Sequence, residues 1–203
     1  AFAVRGTFDD CQRLVKAAFN DEDLRARVEL SSANSINVGR LLPQMTYFAW
    51  ASSNAWRAHG EKLSFVIPSG NLGHATACVW ARNAGYPIGE IVLAHNANRA
   101  VPDYLETGAW RPRASVATLA SAMDVGDPSN AERLFNLFPN AKAFREAVSA
   151  HVVDDAAIRA RIAVGHTEYG QVWCPHTATA AEAFARHGGE GRWALAATAH
   201  PAK

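Results

Sequence analysis

The sequence predicts an α/β fold built on a parallel sheet, and three observations carry that expectation. Two continuous apolar runs, LSFVIP at 63–68 and EIVLAHN at 90–96, have the composition of strands buried on both faces. Between them HATACVWARNAG reads as a helix that stops at Gly85, with Pro87 blocking its continuation. A strand–helix–strand unit makes a right-handed crossover, so both strands join one sheet. Elsewhere helical patterns alternate with apolar runs, which sets the class.

Taken in order, FAVRG is a short apolar segment, and Thr7 or Asp9 caps the helix DDCQRLVKAAFND. Its Cys11, Leu14, Val15, Ala18 and Phe19 recur at helical spacing. DEDLRARVEL predicts a second short helix. The polar stretch SSANSIN breaks the chain before one apolar helix from Val38 to His59. Pro43 is early enough in it to be tolerated, and Gly60 is a suitable stop. After the βαβ unit, RAVPDYLETGAW predicts a helix and turn. Residues 130–170 read as two or three amphipathic helices, and the Leu134, Phe135, Leu137, Phe138 stripe is expected in the core. HTATAAEAFARHGG is a further helix, and RWALAATAHP a last buried strand.

Composition excludes several function classes. Twenty basic and 19 acidic side chains nearly balance, and the 16 arginines are scattered, so no nucleic acid or anionic membrane is expected as partner. The longest apolar runs are too short to span a bilayer. Cys11, Cys78 and Cys174 match neither a disulfide framework nor a metal spacing, and the eight histidines form no metal motif. No metal is expected, and the setting expected is reducing and cytoplasmic.

The loop PSGNLGH, residues 68–74, sits between strand and helix. Its glycines allow close backbone approach, and unpaired N–H groups converge with the helix dipole on one point. Two readings stand: a phosphate site formed by Ser69, Gly70, Asn71 and Gly73, or an ordinary tight turn. SSANSINVGR is a second polar concentration. Ser31, Ser32 and Asn34 suit a helix cap, whereas Arg40 one turn on suits a second anion site. Asn130 or Ser129 is expected to cap the helix after SAMDVGDPSN.

Together GTFDDCQ, SSANSINVGRLLPQ, FVIPSGNLGH, ATLASAMDVGDPSNAERL, PHTATAAEAF and ATAHPAK resemble threonine synthase of the longer bacterial and fungal type, in the family's order and along nearly the whole chain. The resemblance implies a pyridoxal 5′-phosphate enzyme of fold type II, with a three-layer, tryptophan-synthase β-like large domain. It implies a lyase of threonine biosynthesis that converts O-phospho-L-homoserine and water to L-threonine and phosphate. Ser69, Gly70, Asn71, Leu72 and Gly73 would cradle the cofactor phosphate, and Thr198 would face the pyridine nitrogen. Asn34, Ser35 and Arg40, with Asn71, would bind the substrate phosphate. Leu72 and His74 depart from the family pattern; Leu72 keeps its apolar character, and His74 is expected to face solvent.

The resemblance places the family's Schiff-base lysine, followed by an Asp, upstream of Ala1. Lys16, Lys62, Lys142 and Lys203 lack that context, so no catalytic residue is assigned from Ala1 onward. The expectation is therefore a portion of such an enzyme without the lysine segment and inactive alone. Residues 1–30 would be the tail of the smaller Rossmann-like domain and 31–203 most of the large domain. An incomplete sheet leaves apolar surface uncovered, so a homo-oligomer is a further expectation. Two alternatives stay open: another fold type II enzyme, such as a related phospho-lyase or dehydratase, or a non-catalytic phosphate-binding domain.

Overall fold

The computed structural model describes residues 3–197 and 199–202. Helix α1 (Phe8–Asn20) begins after Thr7, whose N–H and hydroxyl both donate to the Asp10 carboxylate at 2.8 and 3.1 Å. Helix α2 (Glu22–Arg27) follows, started by Asp21 accepting from the Leu24 N–H. The apolar helix expected from Val38 divides in two. A 3₁₀ turn at Val38–Arg40 is held by the Asn37 side chain accepting from the Gly39 N–H at 2.9 Å, and α3 (Leu42–His59) comes after it. Pro43 falls in the first turn of α3, where a missing N–H costs nothing. Gly60 stops the helix at φ 69°.

Strand β1 (Leu63–Pro68), helix α4 (Gly73–Asn83) and strand β2 (Ile88–His95) form the expected unit, with Phe65 paired to Ile91 and Ile67 to Leu93. Helices α5 (Ala100–Thr107), α6 (Ala131–Leu137) and α7 (Ala141–Ala147) lead to strand β3 (Ser149–Val152). Helices α8 (Asp155–Tyr169) and α9 (Pro175–His187) then lead to strand β4 (Arg192–Leu195). The four strands are parallel in the order β3-β2-β1-β4.

Two expectations need correction. Residues 149–152 form a strand inside a region read as helices only. Four half-buried residues beside β2 are too few to print an alternation. The last strand is not buried: β4 lies at the sheet edge, half-covered, with Arg192 exposed. In the α6 stripe Leu134 is buried and Phe135 and Phe138 pack on the core, while Leu137 is 37% exposed.

Helices cover both faces of the sheet. Phe65 and Ile67 point to one side, against Phe48, Val79 and Phe144 from α3, α4 and α7. Val66 points to the other, with Val92, Ile158, Ala178 and Ala183, under α8 and α9. That alternation explains why β1 is apolar at consecutive positions, since each face has its own layer to meet. Each fully buried Ile, Val or Phe contributes about 1.5–3 kcal/mol. The alanine-rich face of α9 lets that helix lie close across the strands. Among the described residues no helix is long and apolar enough to cross a membrane, and all three cysteines are unpaired.

Candidate functional site

Strand order reverses at β1: the chain leaves it toward β2 and β3 and returns to its other side as β4. In an open parallel sheet, crevices form beyond the strand carboxyl ends at such a reversal. A cavity of about 870 Å³ lies there, bounded by the end of β1, the start of α4, the first half of α3 and residues 194–197. Its size is that of a site for a small organic molecule.

The glycine loop forms one wall. Ser69 closes the strand end, its N–H donating to the Ala94 carbonyl and its hydroxyl to the Ile67 carbonyl, both at 2.8 Å. Ser69 is thus spent on the turn and does not line the cavity, whereas Gly70, Asn71, Leu72 and Gly73 do. A Cβ on Gly70 would stand 2.7 Å from the Met123 Cα, so this glycine is required by close backbone approach. Leu72 carries the turn into α4 at φ 64°, the one non-glycine residue with positive φ among those described. A left-handed residue just before a helix turns successive N–H groups toward one point, and the helix's first N–H groups have no intrahelical acceptor.

Asn71 ties the loop to three other segments. Its side-chain oxygen accepts from the Ser129 N–H at 2.7 Å and hydroxyl at 3.0 Å, and its amide donates to the Ser35 hydroxyl at 2.5 Å. Gln12 of α1 exchanges longer contacts with the same amide, and Asn130 donates to the Asn71 carbonyl at 3.0 Å. Asn130 takes the N-cap position of α6 as expected but makes no side-chain cap bond: its amide donates to the loop and its side-chain oxygen accepts from Arg133, while Ser129 serves Asn71.

Of the 31–40 segment, Ser35, Gly39 and Arg40 line the cavity and Asn34 does not. Asn34 accepts from the Ser32 hydroxyl at 2.7 Å and the Ile36 N–H at 2.9 Å, a self-contained turn that shapes the segment. Arg40 is exposed and has no carboxylate partner among the described residues. Among the described residues it is the one permanently charged side chain on the cavity wall, and no carboxylate lines the cavity. An anion is the ligand such a wall accepts.

His74 departs from its expected place. It is turned inward, its ring 4.9 Å from Phe48 and 5.5 Å from Tyr47, with Nε2 buried and unpaired. Burial pushes its pKa down to about 4, so the imidazole is neutral near pH 7. The same burial, with a smaller effect of Cys78, raises the Tyr47 hydroxyl to about 12. The inward turn follows from position: the first turn of α4 packs under α3, and an imidazole fills the gap between two rings.

Sequence reasoning missed other lining residues. His176, at the start of α9, accepts from the Ala122 N–H at 3.0 Å through Nε2 and fixes the 120s loop over Gly70. The sequence signal available was a histidine directly after Pro175 at a helix start. Tyr47 and Trp50 of α3 read only as apolar helix positions. Two expectations fall outside the described residues: Thr198, and the Schiff-base lysine placed upstream of Ala1, with Ala1 itself and Lys203 also outside them. None of the described lysines lines the cavity: Lys16 donates to Glu132 at 3.2 Å, Lys142 belongs to α7, and Lys62 borders a different recess.

No protein-family model matches the chain. Its sequence is 40% identical to the threonine synthase of Serratia marcescens across 99% of this chain and 47% of that protein. Its structure is similar to the crystal structure of threonine synthase from Escherichia coli, with a TM-score of 0.86 at 37% identity, covering 98% of this chain and 47% of that one. Against the crystal structure of PLP-bound threonine synthase from Brucella melitensis the TM-score is 0.82 at 30% identity, covering 98% and 48%. The chain spans about half the length of the curated relatives it matches. The layered α/β architecture with a parallel sheet is that of the fold type II pyridoxal-phosphate enzymes.

Proposed function

This chain is homologous along its whole length to threonine synthases, and from that premise we propose that its cavity binds pyridoxal 5′-phosphate and serves threonine synthesis from O-phospho-L-homoserine. The observation that carries the reading is the wall described above: a glycine loop with no room for a Cβ at Gly70, opposite Arg40, with no carboxylate among the described lining residues. These residues fit a phosphorylated cofactor. Gly70, Asn71, Leu72 and Gly73 would hold its phosphate through loop and helix N–H groups, with Ser69 fixing the turn beneath. The partner of its ring nitrogen that the resemblance implies, Thr198, lies outside the described residues.

Ser35 and Arg40 would hold the phosphate of the substrate, and Asn71 would orient Ser35 rather than touch the phosphate itself, since its amide is engaged. Asn34 keeps the segment in shape. Donors fixed on a leaving phosphate stabilise the charge that grows on it as its bond breaks. The cofactor, when bound, supplies an electron sink for carbanion charge. The neutral His74 and the buried ring of Phe48 would close the loop's helix side. Residues 31–203 would form most of the cofactor domain, and 1–30 the tail of a smaller one.

Proton transfer at the substrate carbon needs a lysine, and no described lysine lines the cavity. We infer that the 203 residues alone bind the cofactor without turning over substrate. Equilibrium dialysis with pyridoxal phosphate and with pyridoxal tests the first statement: the phosphorylated form should bind, and equal retention of both would refute a phosphate cradle. Incubation with phosphohomoserine and cofactor tests the second, and threonine at enzymic rates would overturn it.

A further inference from the structure

At the opposite end of α4 lies a second recess, of about 460 Å³. Trp56 of α3, Lys62 just before β1, Arg82 in the last turn of α4 and Tyr86 in the turn to β2 surround it, over Ile88. Helix α4 has 11 residues at 1.5 Å rise each, so about 16 Å separate this recess from the cavity. The cofactor reading uses none of it.

Four groups here lack what such groups ordinarily find. Arg82 is half-buried, yet its guanidinium donates to no acceptor and meets no carboxylate or ring among the described residues. Burial accordingly pulls its pKa below the ordinary arginine value. The exposed Lys62 ammonium likewise has no acceptor or carboxylate partner among the described residues. The acidic residues of the flanking stretches are committed elsewhere, Glu61 to Arg192 at 3.4 Å and Glu90 to His187 at 3.1 Å. Trp56 and Tyr86 are 49% and 42% exposed and stack on no other ring among the described residues. A cation in the last turn of a helix complements the dipole. That accounts for one charge in water, not for a half-buried fork beside a second cation and two bare rings.

We propose that this recess is a second binding site, for a small aryl anion: a flat ring bearing a carboxylate or phosphate. The acid group would take the Arg82 fork and the Lys62 ammonium, and the ring would lie against Trp56 and Tyr86. The site stands independently of the cofactor assignment.

The test uses the full chain, with benzoate and phenyl phosphate as probes and benzamide as neutral control. Calorimetry and ¹⁵N–¹H spectra report on it. Expected are saturable binding with Kd in or below the millimolar range, displaced Trp56 indole and Arg82 side-chain signals, and benzamide weaker by about tenfold, equivalent to 1.4 kcal/mol. R82Q should weaken benzoate by about tenfold and K62Q by about threefold. R82K, which keeps the charge and the helix-end role but loses the fork, should fall between. G70A, altered only at the first cavity, should bind benzoate unchanged. A flat titration to about 10 mM, equal binding of benzamide, or unchanged affinity in folded R82Q or R82K would each overturn the proposal. Loss of benzoate binding in folded G70A would move the ligand to the first cavity and overturn it too.

Discussion

Ser129 donates both its backbone N–H and its hydroxyl to the side-chain oxygen of Asn71, at 2.7 and 3.0 Å. One amide thereby joins the glycine loop to a segment far along the chain, and through Ser35 to one far before it. Asn71→Ala strands these donors, each at about 1–3 kcal/mol when buried. We expect a loss of about 3 kcal/mol in urea unfolding and a drop of at least tenfold in pyridoxal phosphate retention on dialysis. Asn71→Asp keeps the acceptor for Ser129 and loses the donor to Ser35, so it should retain the larger part of the stability.

His74 predicts an acid-labile fold. Its pKa falls from 6.5 to about 4 on folding, and that of the wholly buried His95 to about 3, both through burial. Between the unfolded and folded values the unfolded chain binds more protons, so stability rises with pH through that window. The contribution is complete above about pH 6.5 and is lost as pH falls through the folded values. For His74 alone it amounts to about 3 kcal/mol. Urea unfolding from about pH 7 down to about pH 4 should show the loss, and His74→Phe should flatten it by a comparable amount. An unchanged slope in the variant would mean the ring is charged or solvated in the fold.

Leu72 combines a buried side chain with a left-handed backbone, which costs a leucine about 1–2 kcal/mol. Leu72→Ala keeps the backbone cost and removes the buried carbons, for a loss of about 2–5 kcal/mol. Leu72→Gly removes one carbon more but relieves the backbone. It should be no less stable than the alanine variant by thermal or urea unfolding.

Gly70→Ala places a methyl 2.7 Å from the Met123 Cα and 3.3 Å from the Ala122 carbonyl oxygen, both backbone atoms that cannot swing aside. Overpacking of this kind costs about 1–3 kcal/mol. Since His176 pins the 120s loop, the glycine loop is the side that moves, and dialysis should show pyridoxal phosphate retention reduced by at least tenfold.

Much of this architecture is written locally. The β1–α4–β2 unit was legible because apolar runs, Gly85 and Pro87 all act within a few residues of one another. Gly70 and Gly73 were legible for the same reason. Strand β3 was not, because four half-covered residues between helices become a strand only by pairing with β2. The inward turn of His74 was hidden as well: it depends on Tyr47 and Phe48, which α3 supplies from another part of the chain. Asn130 was rightly read as the cap position of α6, but only the fold shows that its amide, and Ser129 entirely, are turned to Asn71.

The sheet order has a kinetic corollary. Strand β1 meets β2 across a single helix, but its other neighbour, β4, lies far along the chain and is synthesised after β1, β2 and β3. Contacts this distant in sequence close slowly, after local ones have formed. During synthesis the β1–β2–β3 portion therefore assembles with one flank of β1 bare, and residues 194–197 add their part of the cavity wall only after it. A ligand signal followed during refolding would then time the docking of β4, and would lag behind the helical signal that reports collapse.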